Sequence, residues 1–309
     1  MYLCDTINYR LIETAFDRSI HEGYQMTIYQ TVTDSIIAEL ERGASPWIKP
    51  WQADSSADAN VISKKAYKGI NRLLLGVSSM SKGYSSANWA TYKQWLELGA
   101  NVRKGEKATA IVYFQPVVKP VADAESTDGG KSYALLKTYF VFNAAQVDGY
   151  TDQASEVDST FNPVALADDR IIKTGAIIRH GGDAAFYSPS HDSIQLPHQS
   201  AFTSTDHYYA TAFHELTHWT SAKARCDRVL GKRFGDSKYA FEELVAEMGA
   251  AFLCFDHGIT GKLQHAGYIA NWLQCLRDDN KAVFKAAALA QKAADYINSL
   301  DATKGQIAA

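Results

Sequence analysis

Apolar residues recur at helical spacing through Ile28, Val32, Ile36, Ile37 and Leu40, which predicts an amphipathic helix over Ile28–Glu41 closed near Gly43. Further along, Thr109–Val118 and Tyr133–Asn143 have the composition of two strands paired as a hairpin around the polar run Asp123–Lys131. Thr151–Thr160 has no period, so residues 151–162 are read as a linker. Beyond it the pattern predicts a helix over Pro163–Thr174 and short strands at Ala176–Arg179, Ala184–Tyr187 and Ser193–Leu196. Four helical stretches follow: Tyr208–Ala222, Tyr239–Phe255, Gly267–Leu276 and Asn280–Leu300. A small sheet followed by helices is an α+β arrangement. The expected organisation is therefore a front domain over 26–150 and a rear domain over 163–309. Residues 1–25, which lack a period and precede Met26, form an extension.

Length and composition agree with this division. At 309 residues, and about 150 per domain, two domains are expected, and 46% hydrophobic with 21% charged residues excludes disorder. No apolar run approaches the ~20 residues of a membrane helix, so no membrane partner is expected. Asp5, Glu13, Asp17 and Glu22 stand where a signal peptide is neutral. The four cysteines form no C-x-x-C pair, and Cys254 and Cys275 read as small core residues, which fits a reducing cytoplasm. A net charge of -3 from 31 bases and 34 acids disfavours an acidic mimic of DNA. That balance conceals a basic window, however, because Asn60–Lys107 holds nine bases against two acids.

His214-Glu215-Leu216-Thr217-His218 matches H-E-x-x-H within a helical stretch. Histidines four apart lie one turn above each other, so both imidazoles can reach one ion, while Glu215 stands beside it as the candidate general base. With 9 His and 12 Glu in the chain, random placement yields roughly 0.01 such matches. A third ligand is required, and Glu242, Glu243 and Glu247 are available on the next helix. Glu243-Leu244-Val245-Ala246-Glu247 resembles the E-x-x-A-[DE] element of zincin metallopeptidases, whose first acid binds metal and whose second orients a ligating histidine. That resemblance assigns Glu243 as ligand and Glu247 as the orienting acid, with Glu242 the alternative, a solvated acid of the first turn. Two imidazoles and a carboxylate suit Zn²⁺, while Mn²⁺, Fe²⁺ or Ni²⁺ can enter the same ligands. Zincins also place an edge strand beside the active helix, and Ser193–Leu196 is the candidate, with an ordinary internal strand as the alternative. Tyr208, Tyr209, His265, Tyr268 and Arg277 are available to stabilise a transition state, and no spacing rule selects among them.

In the front half, aromatics alternate with bases: Trp47, Lys49 and Trp51, then Lys64, Lys65, Tyr67, Lys68 and Arg72, then Arg103, Lys104 and Lys107. Flat rings stack unpaired bases of any identity while cations follow the phosphates, so the pattern suits single-stranded DNA. No helix-turn-helix or recognition helix is apparent. Trp89 and Trp95, by contrast, are better read as core anchors.

The order of Gly43-Ala44-Ser45-Pro46-Trp47, Ala66-Tyr67-Lys68-Gly69-Ile70-Asn71 and Val102-Arg103-Lys104-Gly105-Glu106-Lys107 ahead of the zincin residues resembles the ArdC antirestriction proteins of conjugative plasmids. The front half is also similar to the start of plasmid conjugative primases. The resemblance implies a single-stranded-DNA-binding domain joined to a metallopeptidase-like domain, protecting incoming DNA from host restriction. If peptide hydrolysis occurs, restriction-enzyme subunits are the expected substrates.

Overall fold

A computed structural model describes residues 28–42, 58–118, 132–151, 162–231, 237–259 and 269–301. The 1–25 extension, Trp47, Lys49, Trp51, the Asp123–Lys131 loop, most of the 151–162 linker, His265 and Tyr268 lie outside them.

The first amphipathic pattern forms helix α1 over residues 28–41, with Ile28, Val32, Ile36 and Leu40 buried. The front half continues through β1 (Ala59–Asn60), α2 (Ile70–Lys82), β2 (Asn88–Ala90), α3 (Tyr92–Glu97), β3 (Asn101–Val102), β4 (Thr109–Val118), β5 (Ser132–Asn143) and β6 (Val147–Asp148). The expected hairpin is present: β4 and β5 pair antiparallel from Thr109↔Val141 to Val118↔Ser132, within a sheet ordered β1-β2-β5-β4. Thr91 starts α3 with a capping box closed by Gln94. Helix α2, which the periodicity did not single out, packs Leu73 and Leu75 into the interior. Trp89 and Trp95 are fully buried, with their indole N–H groups donating to Asp58 Oδ1 and the Phe142 carbonyl, each at 3.0 Å.

The rear half comprises α4 (Pro163–Thr174), β7 (Ile177–His180), β8 (Phe186–Ser188), β9 (Ser193–Leu196), α5 (Thr205–Trp219), α6 (Ser237–Asp256), α7 (Ile269–Asp278) and α8 (Ala282–Ser299). All eight expected elements are found, with ends displaced by no more than three residues. The small sheet corrects the edge-strand expectation. Its order is β7-β9-β8, so Ser193–Leu196 is the central strand, parallel to β7 and antiparallel to β8. Burial gives the reason, since Ser193, Ile194 and Leu196 are all covered. Cys254 is buried as expected, whereas Cys275 is only half-buried against the core.

The two-domain α+β architecture has a shared interior. One hydrophobic cluster runs from Ile36 and Leu40 of α1 through Leu73 of α2 and Val112 and Leu136 of the hairpin to Phe213, Leu244, Met248, Ala287 and Ile297. The Tyr67-to-Arg72 segment stitches the seam. Gly69, at φ +58°, donates its N–H to Gln291 Oε1, and Lys68 pairs with Asp295 at 3.0 Å. The Asn71 amide both donates to the Val112 carbonyl and accepts from its N–H, closing the exposed side of β4. Arg72, with only 11% of its side chain exposed, bonds Asp256 Oδ1 at 2.8 Å and the Phe252 carbonyl at 3.2 Å while lying over the Phe252 ring. Removing it takes the cation from Asp256 and leaves that carboxylate with the Asn298 amide at 2.9 Å. Arg72→Ala should therefore cost about 2 kcal/mol, between the stacking and buried-pair limits. An unchanged urea midpoint would show that the seam does not depend on this cation.

Candidate metal centre and nucleic-acid surface

The metal centre lies where α5 crosses α6. Ser204 caps α5 by accepting the His207 N–H, so the helix starts at Thr205 and carries both histidines on one face. Thr217 lies between them in sequence, against Gly249 of α6. A Cβ at Gly249 would sit 2.5 Å from Thr217 Cγ2 and 2.6 Å from its Oγ1. Glycine inside a helix costs about 0.5 to 1 kcal/mol relative to alanine, and here it permits the close crossing that brings Glu243 and Glu247 up to the histidines.

Glu243 spans the two imidazoles, with Oε2 3.4 Å from His214 Nε2 and Oε1 3.5 Å from His218 Nε2. One donor atom from each of His214, His218 and Glu243 lies within 4.8 Å of the others. Glu247 Oε1 stands 3.9 Å from His214 Nδ1, the position of an acid that orients the ring. Glu215 is also buried, at 6% exposure, beside His214.

Glu242 departs from its expected role as a solvated acid. It is 3% exposed, and its Oε1 lies 3.3 Å from His218 Nδ1, so each histidine has a carboxylate behind it. Arg228 holds Glu242 through Nη2 at 2.8 Å and Nε at 3.1 Å. The same guanidinium reaches the Thr217 carbonyl at 2.6 Å and Thr220 Oγ1 at 2.8 Å. Sequence reasoning missed Arg228, which shares the turn after the active helix with Lys223 and Arg225 and has no spacing signal that singles it out.

The electrostatics fit a cation. Four buried carboxylates, Glu215, Glu242, Glu243 and Glu247, face one permanently charged group of the cluster, Arg228. Burial works to lower the His218 pKa, but Glu242 and Glu243 outweigh it and push it up to about 10. Burial likewise works to raise Glu243, while its bonds to His214 and His218 hold the carboxyl far below its usual range. A divalent ion at the Nε2 and carboxylate atoms would neutralise this excess, and two imidazoles with one carboxylate form a known donor set for such an ion. The open candidates for transition-state stabilisation are engaged elsewhere: Tyr208 OH with His180 at 2.9 Å, Tyr209 OH with Asp168 at 2.7 Å, and Arg277 with Glu41.

The basic window is only partly available to a ligand. Lys64, Lys65, Lys104 and Lys107 are exposed, Tyr67 is half-buried, and Lys68 is exposed but paired. Arg72 is committed to the seam, and Arg103 bonds the Ala145 carbonyl, Glu106 and Asp148. Arg72 is thereby turned away from solvent, whereas Arg103 stays 41% exposed among surface acceptors. Sequence reasoning also passed over exposed rings on the hairpin, including Tyr113, Tyr139 and Phe140.

Comparison with known proteins agrees with both halves. Residues 26–142 match the family described as the N-terminal domain of anti-restriction factor ArdC, and residues 165–289 match a family of zincin-like metallopeptidases. An uncharacterized protein of Sinorhizobium fredii, y4eC, is 40% identical over 281 residues, spanning 88% of this chain and 92% of its own length. Two DNA primases TraC of Escherichia coli are 38% and 39% identical over 94% and 87% of this chain. The chain spans only 21% and 27% of those primases. The metal-free crystal structure of the antirestriction ArdC protein from plasmid R388 superposes with a TM-score of 0.73 at 43% identity, over 87% of this chain and 96% of that one. Its Mn(II)-bound structure gives 0.70 at 42% over the same shares. With both halves matched in order and nearly all of the R388 protein covered, the chain belongs to the ArdC family of antirestriction proteins.

Proposed function

We propose that the chain protects incoming plasmid DNA from restriction by binding it as a single strand, and that its zincin-like half serves as a metal-stabilised scaffold. The observation that carries this choice is the enclosure of the metal centre: His214, Glu215 and Glu243 are 4%, 6% and 6% exposed. Among the described residues three side chains converge, which leaves a fourth position for water, so it is the depth of the site and not its ligand count that favours a scaffold. The ion would join α5 to α6 and, being a Lewis acid, could polarise a carbonyl oxygen. Glu247 and the Glu242–Arg228 pair keep the two imidazoles oriented toward Glu243. The donor set favours Zn²⁺ and accommodates Mn²⁺, the ion bound in the R388 ArdC crystal structure. The free thiols Cys226, Cys254 and Cys275 support a reducing, cytoplasmic setting. Among the described residues, no helix is long and apolar enough to cross a membrane.

A peptidase acting on restriction subunits is the second reading, and Glu215 is the observation that favours it. A carboxylate next to a ligating histidine is the type of group that accepts a proton and returns it to a leaving amine, and Glu215 adjoins His214 in the chain. DNA binding is tested by titrating labelled single- and double-stranded oligonucleotides at several salt concentrations. Preference for single strands, with affinity falling as salt rises, is expected from Lys64, Lys65, Lys104 and Lys107. Equal affinity for both forms with a flat salt response would refute it.

A further inference from the structure

We infer that the exposed tyrosine face of the β4–β5 hairpin is the base-stacking surface for single-stranded DNA, an inference that rests on the DNA-binding reading above. Tyr113 is 54% exposed and Tyr139 45%, and their rings meet edge to face at 6.3 Å between centroids. The register places Tyr113 directly opposite Lys137 and Ile111 directly opposite Tyr139. Side chains at these alternating positions therefore share one face. Ile111 and Val141 are buried toward the base of the hairpin, with Trp89 in the same core cluster, so the two tyrosines stand on a firmly packed sheet.

Charge complementarity selects the occupant. Neither strand contains an Asp or a Glu, and Lys137 lies beside the tyrosines, fully available among the described ion pairs. Lys107 precedes β4, and at about 3.4 Å per residue it lies about 20 Å along the strand from Tyr113. The Lys82 ammonium bonds its carbonyl, adding a second base at that end. Rings with cations at either end, and no acid between them, match a strand of unpaired bases on a phosphate backbone. Phe140, 59% exposed, lies on the opposite face by alternation and serves as the control.

The test uses the full chain and a labelled oligothymidylate, with affinity measured at several salt concentrations. Tyr113→Ala/Tyr139→Ala should weaken binding at least about tenfold, since aromatic stacking is a major term of such binding. Lys137→Ala should reduce the slope of log affinity against log salt by about one. Tyr113→Phe/Tyr139→Phe keeps both rings and should retain affinity, which separates loss of stacking from loss of fold. If the wild-type chain binds and the double alanine variant binds equally well, the surface is wrongly assigned. A loss with Phe140→Ala equal to that of the double variant would likewise overturn the choice of face. A wild-type chain that fails to bind the oligonucleotide refutes the DNA-binding reading itself.

Discussion

Glu243→Ala is expected to abolish stoichiometric binding of Zn²⁺ or Mn²⁺, weakening affinity by more than about a hundredfold. Loss of a partner that merely orients a ligating histidine costs about 10- to 100-fold, and Glu243 is itself the carboxylate spanning His214 and His218. The loss should also appear in stability. At metal a thousandfold above its dissociation constant, binding stabilises the native chain by about 4 kcal/mol. Added metal should thus raise the melting temperature of the wild type and leave the variant unmoved. Calorimetric titration with Mn²⁺, together with elemental analysis of chelator-free protein, reads both effects. Glu215→Gln, which removes no ligand, should retain the metal. If Glu243→Ala bound metal as tightly as the wild type, the three-ligand assignment would be wrong.

The second large effect concerns packing. Gly249→Ala inserts a methyl group 2.5 to 2.6 Å from the Thr217 side chain, closer than real contacts allow. Separating α5 from α6 should cost about 1 to 3 kcal/mol of overpacking, exceeding the roughly 1 kcal/mol by which alanine favours a helix over glycine. It should also weaken metal binding, because His214 and His218 lie on one helix and Glu243 on the other. Thr217→Ala removes both clashing atoms, so the double variant should recover much of the loss. The urea midpoints of the four proteins form a double-mutant cycle. Additive effects would show that the two side chains do not meet.

Local chemistry was legible in the sequence wherever a few neighbouring residues contain it. The His214–His218 spacing and the strand composition of β4 and β5 are of this kind. Glu242 was read as solvated because its two partners, His218 and Arg228, lie 24 and 14 residues away and only the turn after α5 brings Arg228 back. Strand order is equally non-local: nothing in Ser193–Leu196 states that β7 and β8 both pair with it. Arg72 shares its basic window with exposed lysines, and its burial follows from Phe252, Phe255 and Asp256 on α6. Helix α2 escaped notice because Leu73-Leu74-Leu75 gives way to Gly76, Ser78 and Ser79, which blurs the helical period. Composition around the polar loop predicted the hairpin but not which stretches would be covered, and so Tyr113 and Tyr139 were passed over.

The most direct test of protection by binding is transfer of unmodified plasmid DNA into a restricting recipient that expresses Glu215→Gln. Glutamine preserves the shape of the side chain and removes the group that could accept a proton. With metal content verified, protection equal to that of the wild type is expected, because the DNA surface and the metal-held scaffold are both intact. Protection falling to the level of a recipient lacking the protein, in a variant that still binds metal and single-stranded DNA, would contradict the scaffold reading and establish that hydrolysis is required.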